Sequence, residues 1–209
     1  YEDFTADLSL AAEKTMQDGL QRLVSAALSW RDSTTGLYGT FLDPSDDPVL
    51  YPYLIYDNAL LQVSFRYLAQ LQAAGRLSSP ENFHQRAEEL RQAIARHGTV
   101  EGPFGPMFAW AVDGQGGVQL YDNPPGSLQL LAYYGFCSPG DPVFANTLRW
   151  IRSQHNEYYH QGCSFEETGS LHCANPWPMS AANGLLAGQV SGLEFIQKAT
   201  MDNGFCCET

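Results

Sequence analysis

The sequence predicts an all-α protein, an array of helical hairpins closed into a toroid. Three observations predict it. Apolar residues recur at helical spacing through several stretches that contain no proline. No comparable stretch has the regular two-residue alternation of a half-buried strand. The helices are separated by loops of 20 to 30 residues, rich in aromatics and glycine, whereas a simple bundle joins its helices by short turns.

The first helix is expected over residues 9–30, where Leu10, Leu20, Leu23, Val24, Ala27 and Leu28 fall largely at helical spacings. The loop RDSTTGLYGTFLDPSDDPVLYPY follows, with three prolines and two glycines. A second helix, about 58–74, carries Leu60, Leu61, Phe65, Leu68 and Leu71, and Asp57 is placed to cap its N-terminus. Ser79 and Pro80 open an amphipathic third helix over 81–97. The Gly/Pro-rich segment after it holds PMFAWAVD and GGVQLYD, which read as a short hairpin, and leads to a helix near 127–135. DPVFANTLRWIRS is the next, with Pro142 tolerated in its first turn. The loop YYHQGCSFEETGSLHCANPWP then delivers the chain to a helix over 179–198, interrupted between Gly188 and Gly192. Trp, Tyr, Asp, Asn and His gather in the long loops, and loops held by a rigid scaffold are where a polar ligand sits.

Composition excludes several roles. Eleven basic against 23 acidic residues give a formal charge of −12, so no Lys/Arg cluster can neutralise a run of phosphates, and neither nucleic acid nor an anionic membrane surface is an expected partner. No stretch approaches 18 uncharged apolar residues. The first residues show no basic, apolar leader pattern, and the five cysteines are an odd number, with Cys206 and Cys207 adjacent. Reduced thiols in a cytoplasmic protein are the expectation.

Among chemistries, zinc would need ligands from His160, Cys163, His172 and Cys173, which lie within 14 residues. Their spacing fits no zinc knuckle, and the adjacent pair His172–Cys173 is poorly suited to one ion, so pocket-lining thiols and no metal or cofactor are expected. A Cys–His nucleophile has no local motif here, and there is no phosphate loop or dinucleotide fingerprint. Carboxylates among aromatics are more informative: Asp46, Asp47, Asp57, Asp122, Glu166, Glu167 and Glu208 all sit near Tyr, Trp or Phe. Glycoside hydrolysis needs one protonated carboxyl for the leaving oxygen and a second carboxylate to activate water or attack the anomeric carbon. Aromatic faces stack on sugar rings.

The blocks FLDPSDDPVLYPYLIYDNALLQVSFRYLA (41–69), EGPFGPMFAWAVDGQGGVQLYDNPPGSLQLLAYYGF (101–136), DPVFANTLRWIRSQHNEYYHQG (141–162), NPWPMSAANGLL (175–186) and the terminal DNGFCCET, in this order, resemble family 125 of the glycoside hydrolases. The resemblance covers roughly residues 10–209 and implies an inverting, metal-independent, exo-acting α-mannosidase on an (α/α)6 toroid. It implies that Asp122, in YDNPPGSLQLL, is the general acid, with Tyr121 replacing a first Asp, and that Glu208, in GFCCET, is the general base, with Cys206–Cys207 in place of Met-His. It implies a sugar-site loop in DPSDDPVLYPYLIYDN, giving Asp46, Asp47, Tyr53, Asp57 and Asn58 as carbohydrate-binding candidates, joined by Tyr121, Asn123, His172 and Trp177. Asp43 stands where the family has an arginine. These departures bear on mannose specificity more than on the hydrolase reading.

The resemblance further implies that residues 1–209 are one toroid domain lacking N-terminal and C-terminal portions, and that this stretch alone is inactive. Two readings of other classes stand beside it: an inactive carbohydrate-binding or scaffold protein, and a helical-toroid lyase or epimerase using Tyr121 and His172.

Overall fold

The computed structural model describes residues 9–199 and the backbone of a further short hairpin; Glu208 and Cys207 lie outside the described residues. A 3-10 turn, Leu10–Ala12, leads into α1, Lys14–Ser29. There follow β1, Tyr53–Leu54, α2, Ile55–Ala73, and α3, Phe83–His97. Next come β2, Thr99–Gly102, β3, Gly105–Phe108, β4, Ala111–Val112, and β5, Val118–Gln119. Two 3-10 turns, Pro124–Gly126 and Leu128–Leu130, precede α4, Pro142–Ile151, α5, Pro178–Leu186, and α6, Ser191–Lys198. A hairpin of β6, Met201–Asp202, with β7, Phe205–Cys206, closes the list of elements.

Helices carry the fold, as the periodicity predicts. α2 and α3 pack together across Phe65 and Phe83, whose rings stack with centroids 5.9 Å apart, over a core that includes Leu68, Leu90 and Ile94. α1 lays Leu20, Val24 and Leu28 on that core while Leu23 remains 70% exposed, the pattern of an amphipathic helix. The strands are short. β4 pairs antiparallel with both β1 and β5, and β2 pairs antiparallel with β3.

Three local expectations change. α2 begins at Ile55, not at 58, and Leu54 is its N-cap, so Asp57 lies in the first turn instead of capping it; Ile55 and Tyr56 are core residues, and their burial draws the helix upstream. The helix expected near 127–135 is replaced by 3-10 turns. Pro124 and Pro125 withhold two amide donors, Ser127 caps Leu128–Leu130 by accepting from Gln129 N, and Gly135 ends the segment at φ +79°. The expected hairpin forms from Ala111–Val112 and Val118–Gln119, but Gly105–Phe108 turns back to pair with Thr99–Gly102. That β2–β3 hairpin is pinned to α4 by Thr147 Oγ1, which accepts from Phe108 N at 2.9 Å.

The break between α5 and α6 falls where expected, with Gly188 at φ +83°. Gly169, buried in the loop before α5, is constrained differently: a Cβ there would run into the backbone of Ala174 and Asn175. Backbone cannot swing aside as a side chain does. Gly169→Ala is therefore expected to cost about 1–3 kcal/mol, read as a lowered midpoint in thermal unfolding.

Candidate active site

Three loops meet around Asp43, Asn123 and Tyr121. The first folds on itself around Asp43, whose Oδ1 accepts from Ser45 N at 2.8 Å and from Asp47 N at 3.1 Å. Such side-chain-to-backbone bonds are what Asp supplies to a tight turn. The turn carries Asp46 at φ +63°, the left-handed region that Asp tolerates better than most residues. Asp46 is exposed at its tip.

The second loop is stapled to the first. Asn123 Nδ2 donates to Asp43 Oδ2 at 3.0 Å and to Ser45 Oγ at 2.8 Å. The β4–β5 hairpin places Trp110 and Tyr121 side by side, edge to face at 5.4 Å, and Tyr121 meets Tyr158 at the same separation. The third loop is tied in by Tyr121, whose hydroxyl accepts from Leu171 N at 2.6 Å. Next to it, His172 Nδ1 lies 2.9 Å from Asp47 Oδ2. Together the loops enclose a cavity of about 260 Å³ lined by Asp43, Asp47, Trp110, Gln119, Tyr121 and Leu171 among others, at the small end for a ligand pocket.

Asp47, Tyr121 and His172 thus come together, and Asn123 holds two of the loops in register. Trp177 packs edge-on near His172, 6.2 Å between centroids, but is only 2% exposed and spends its indole N–H on Cys173 O. Asn58 is buried, its Nδ2 donating to Tyr38 O and Leu54 O while Oδ1 accepts from Tyr38 N, so both its N–H groups are committed to the backbone. Tyr53 reaches the other way, toward Asp32 and Thr35. Asp57 lines a separate cavity of about 130 Å³ with Trp30, Tyr38, Asn58 and Leu61; burial first, and then the Asp43 carboxylate, push its carboxyl up to about 6.

Asp122 follows Tyr121 in the chain and is only 1% exposed. Its Oδ2 accepts from Ser127 Oγ at 2.7 Å and its Oδ1 from Leu128 N at 2.8 Å. Burial pushes the carboxyl up to about 6, against these hydrogen bonds, and the nearby Glu167 carboxylate acts in the same direction. The two histidines of the Cys/His cluster point to different partners: His160 Nε2 lies 2.6 Å from Ala174 O, and His172 is on Asp47. Among the described residues, no three His, Cys, Asp or Glu side chains converge as a metal cage would require.

A buried polar cluster beside Asp122 went unsingled in the sequence. Glu167 is fully buried and pairs with Arg152 Nη2 at 2.6 Å. Its Oε1 accepts from Ser180 Oγ at 3.0 Å and Thr168 N at 2.9 Å. Gln129 joins this group, donating to Ser180 Oγ at 3.2 Å and accepting from Arg152 Nε at 3.4 Å. Glu167 counted in the sequence only as one carboxylate among aromatics; an arginine 15 positions earlier at the end of a helix offered no local signal.

The Tyr121 hydroxyl bond gives a direct test of how the third loop is held. Tyr121→Phe keeps the ring and removes one acceptor, leaving Leu171 N without that partner. The expected cost is about 1–2 kcal/mol in stability, read as a lowered midpoint in thermal unfolding.

Comparison with known proteins identifies the family and the fold. The chain is 38% identical over 144 residues to the meiotically up-regulated gene 157 protein of Schizosaccharomyces pombe, a match covering 66% of this chain and 28% of that protein. It is similar in structure to a metal-independent α-mannosidase of Streptococcus pneumoniae, solved in a non-productive substrate complex with α-1,6-mannobiose. The TM-score is 0.69 at 28% identity, over 79% of this chain and 41% of the other. The chain spans less than half the length of either relative. The fold is accordingly that of an (α/α)6 toroid, of which the described helices form a part, and the small sheets are a minor departure. A family model described as metal-independent alpha-mannosidase matches residues 9–209, and with nearly all of its length matched, the chain belongs to glycoside hydrolase family 125.

Proposed function

We propose that this chain provides the acid-bearing part of an inverting, metal-independent, exo-acting α-mannosidase, with Asp122 as general acid and Glu208 as general base. The observation that carries this reading is Asp122, a buried carboxyl pushed up to about 6 and next in the chain to Tyr121, which lines the cavity between the loops. A general acid must keep its proton near the working pH, and burial with a like charge nearby is how a carboxyl does so. In the proposed reaction the Asp122 proton passes to the glycosidic oxygen as its bond to the anomeric carbon breaks. A water deprotonated by Glu208 attacks the opposite face. Asp43, Asp47 and His172 offer acceptors and donors to sugar hydroxyls, and Trp110 and Tyr121, each at most 3% exposed, form the wall behind them.

Glu208 lies outside the described residues, so its role rests on the family pattern. Inversion requires room for water, with the two carboxyls about 6.5–9.5 Å apart. The test is to follow the product of an α-mannoside by proton NMR in the first minutes of reaction. The expected product is the β-anomer; initial release of the α-anomer means a covalent route and overturns the inverting scheme.

One observation favours a second reading, that of a carbohydrate-binding protein without hydrolysis. Asp122 is 1% exposed and its oxygens are bonded to Ser127 and Leu128, an arrangement that also serves to hold the turn at Leu128–Leu130. On that reading mannosides bind to the full-length protein, measurable by calorimetry, and no turnover is seen.

A further inference from the structure

We propose that Glu167 is a positioning residue for the acid: clasped by Arg152, it holds Gln129 and Ser180 in place and sets a buried negative charge behind the loop that carries Asp122. This inference rests on the reading of Asp122 as general acid. Neither of the two carboxylates of the hydrolytic scheme is Glu167.

The geometry is a continuous chain of contacts between two buried carboxyls. From Asp122 Oδ2 it runs to Ser127 Oγ, which donates at 2.7 Å, and on to Gln129 N, which donates to that same hydroxyl at 3.0 Å. From the Gln129 side chain it runs to Ser180 Oγ at 3.2 Å, and Ser180 donates to Glu167 Oε1 at 3.0 Å. Arg152 closes the far end, bonding Glu167 through Nη2 and Gln129 through Nε. Ser127, Gln129, Ser180 and Glu167 are all fully buried. No bulk water lies between Glu167 and Asp122; Arg152 offsets part of the Glu167 charge, and what remains opposes a second charge on Asp122, adding to the larger effect of burial.

Space for this clasp is reserved by Gly184 on α5. A Cβ there would collide with the Arg152 guanidinium and touch Gln129 Oε1. The other titratable groups nearby are Tyr56 on α2 and Tyr121 beside Asp122, with Asp57 facing Tyr56 and Asp43 facing Tyr121, and Tyr159 beside Glu167, with Glu166 facing Tyr159. Burial drives all three phenols upward, so none of them changes charge while a carboxyl near 6 titrates, whereas Asp57, also pushed up to about 6, titrates with Asp122. The Asp122 13C resonance is therefore the readout that separates the two, and Glu167 is the carboxylate that acts on Asp122 directly.

The experiment compares wild type, Glu167→Gln and Asp122→Asn in the full-length protein. Its two readouts are the pH dependence of kcat/KM and the titration of Asp122 itself, followed as the carboxyl 13C resonance that Asp122→Asn abolishes. Glu167→Gln removes a negative charge and leaves Arg152 positive, so both the alkaline limb and the Asp122 titration should move to lower pH by about one unit. That corresponds to about tenfold less activity on the alkaline limb and little change on the acid side. Glu167→Asp, which keeps the charge, should restore the profile. Where Glu167→Gln alone does not fold, the pair Arg152→Gln with Glu167→Gln leaves no lone buried charge and should show the same downward direction with smaller size. An Asp122 titration unmoved in either variant overturns the inference whatever the activity. Full activity in Asp122→Asn overturns the acid assignment instead, and the two failures are told apart because the 13C titration does not depend on turnover.

Discussion

Asp122→Asn is expected to lower kcat by about 10² or more on a mannoside with a poor leaving group, without lowering the unfolding midpoint at pH 7.5. Loss of rate follows from loss of the only proton Asp122 can give. The stability half follows from linkage. Asp122 has its folded-state carboxyl at about 6 against an ordinary value of 3.8, so as pH rises the unfolded chain releases this proton first. Stability contributed by the protonated form is complete below about 4 and is lost as pH rises through 6. By neutral pH the loss is on the order of 3 kcal/mol. Asparagine carries no such charge and keeps an oxygen to accept from Leu128 N, so it recovers part of that loss. A rate near wild type, or a strongly lowered midpoint at pH 7.5, would mean that the carboxylate serves the turn at Leu128–Leu130 and not the sugar. Rate on a substrate with an activated leaving group should fall far less, because little protonation is needed there.

Arg152→Ala is expected to produce the largest loss of stability of any single side-chain truncation in the site, about 3–5 kcal/mol. Glu167 is fully buried and Arg152 has only 11% of its side chain exposed, with 2.6 Å between their charged atoms. Removing the cation leaves a carboxylate in a low-dielectric interior with only Ser180 and Thr168 to bond it. It also releases Gln129 from Arg152 Nε. Adding Glu167→Gln to Arg152→Ala should restore more than half of the loss, because the uncompensated charge, not the missing bond, dominates the cost. The measurement is a thermal or urea unfolding cycle over the four proteins. If Arg152→Ala costs under about 1 kcal/mol, the pair behaves as a surface salt bridge and the buried cluster has no hold on the site. The exposed pairs Lys14–Asp18 and Lys198–Glu194 serve as internal controls, since their truncation should be nearly silent.

Helices were largely legible in the sequence because their signal is local. The spacing of Leu20, Val24 and Leu28, or of Phe65 and Leu68, already defines a buried face, and α1, α2, α3, α4 and the broken α5–α6 pair lie where that spacing puts them. Boundaries were less legible where burial overrides a local cap, as when Ile55 and Tyr56 draw α2 upstream of Asp57. The 124–131 segment failed for another local reason. Leu128, Leu130 and Leu131 are as apolar as a helix needs, but the prolines before them and the bond from Leu128 N to Asp122 favour tight turns instead.

The sequence by itself determined the class of the fold, the concentration of carboxylates and aromatics in long loops, and through the order of its blocks the family. All of these depend on residues near one another in the chain or on their order along it. Only the tertiary structure decided which of those carboxylates are tuned and by what. Asp122 and Glu167 both read as loop carboxylates, yet one is pushed up to about 6 by burial while the other is clasped by an arginine from a different element. Likewise Asn58, which sequence assigned to sugar, is spent on the backbone of Tyr38, and Tyr121 holds a loop 50 residues away. The physical reason is that desolvation and hydrogen-bond partnership are properties of an enclosed volume. The partners concerned, Tyr38 and Leu54 for Asn58, Ser127 and Leu128 for Asp122, Arg152 and Ser180 for Glu167, are brought together only when the chain folds.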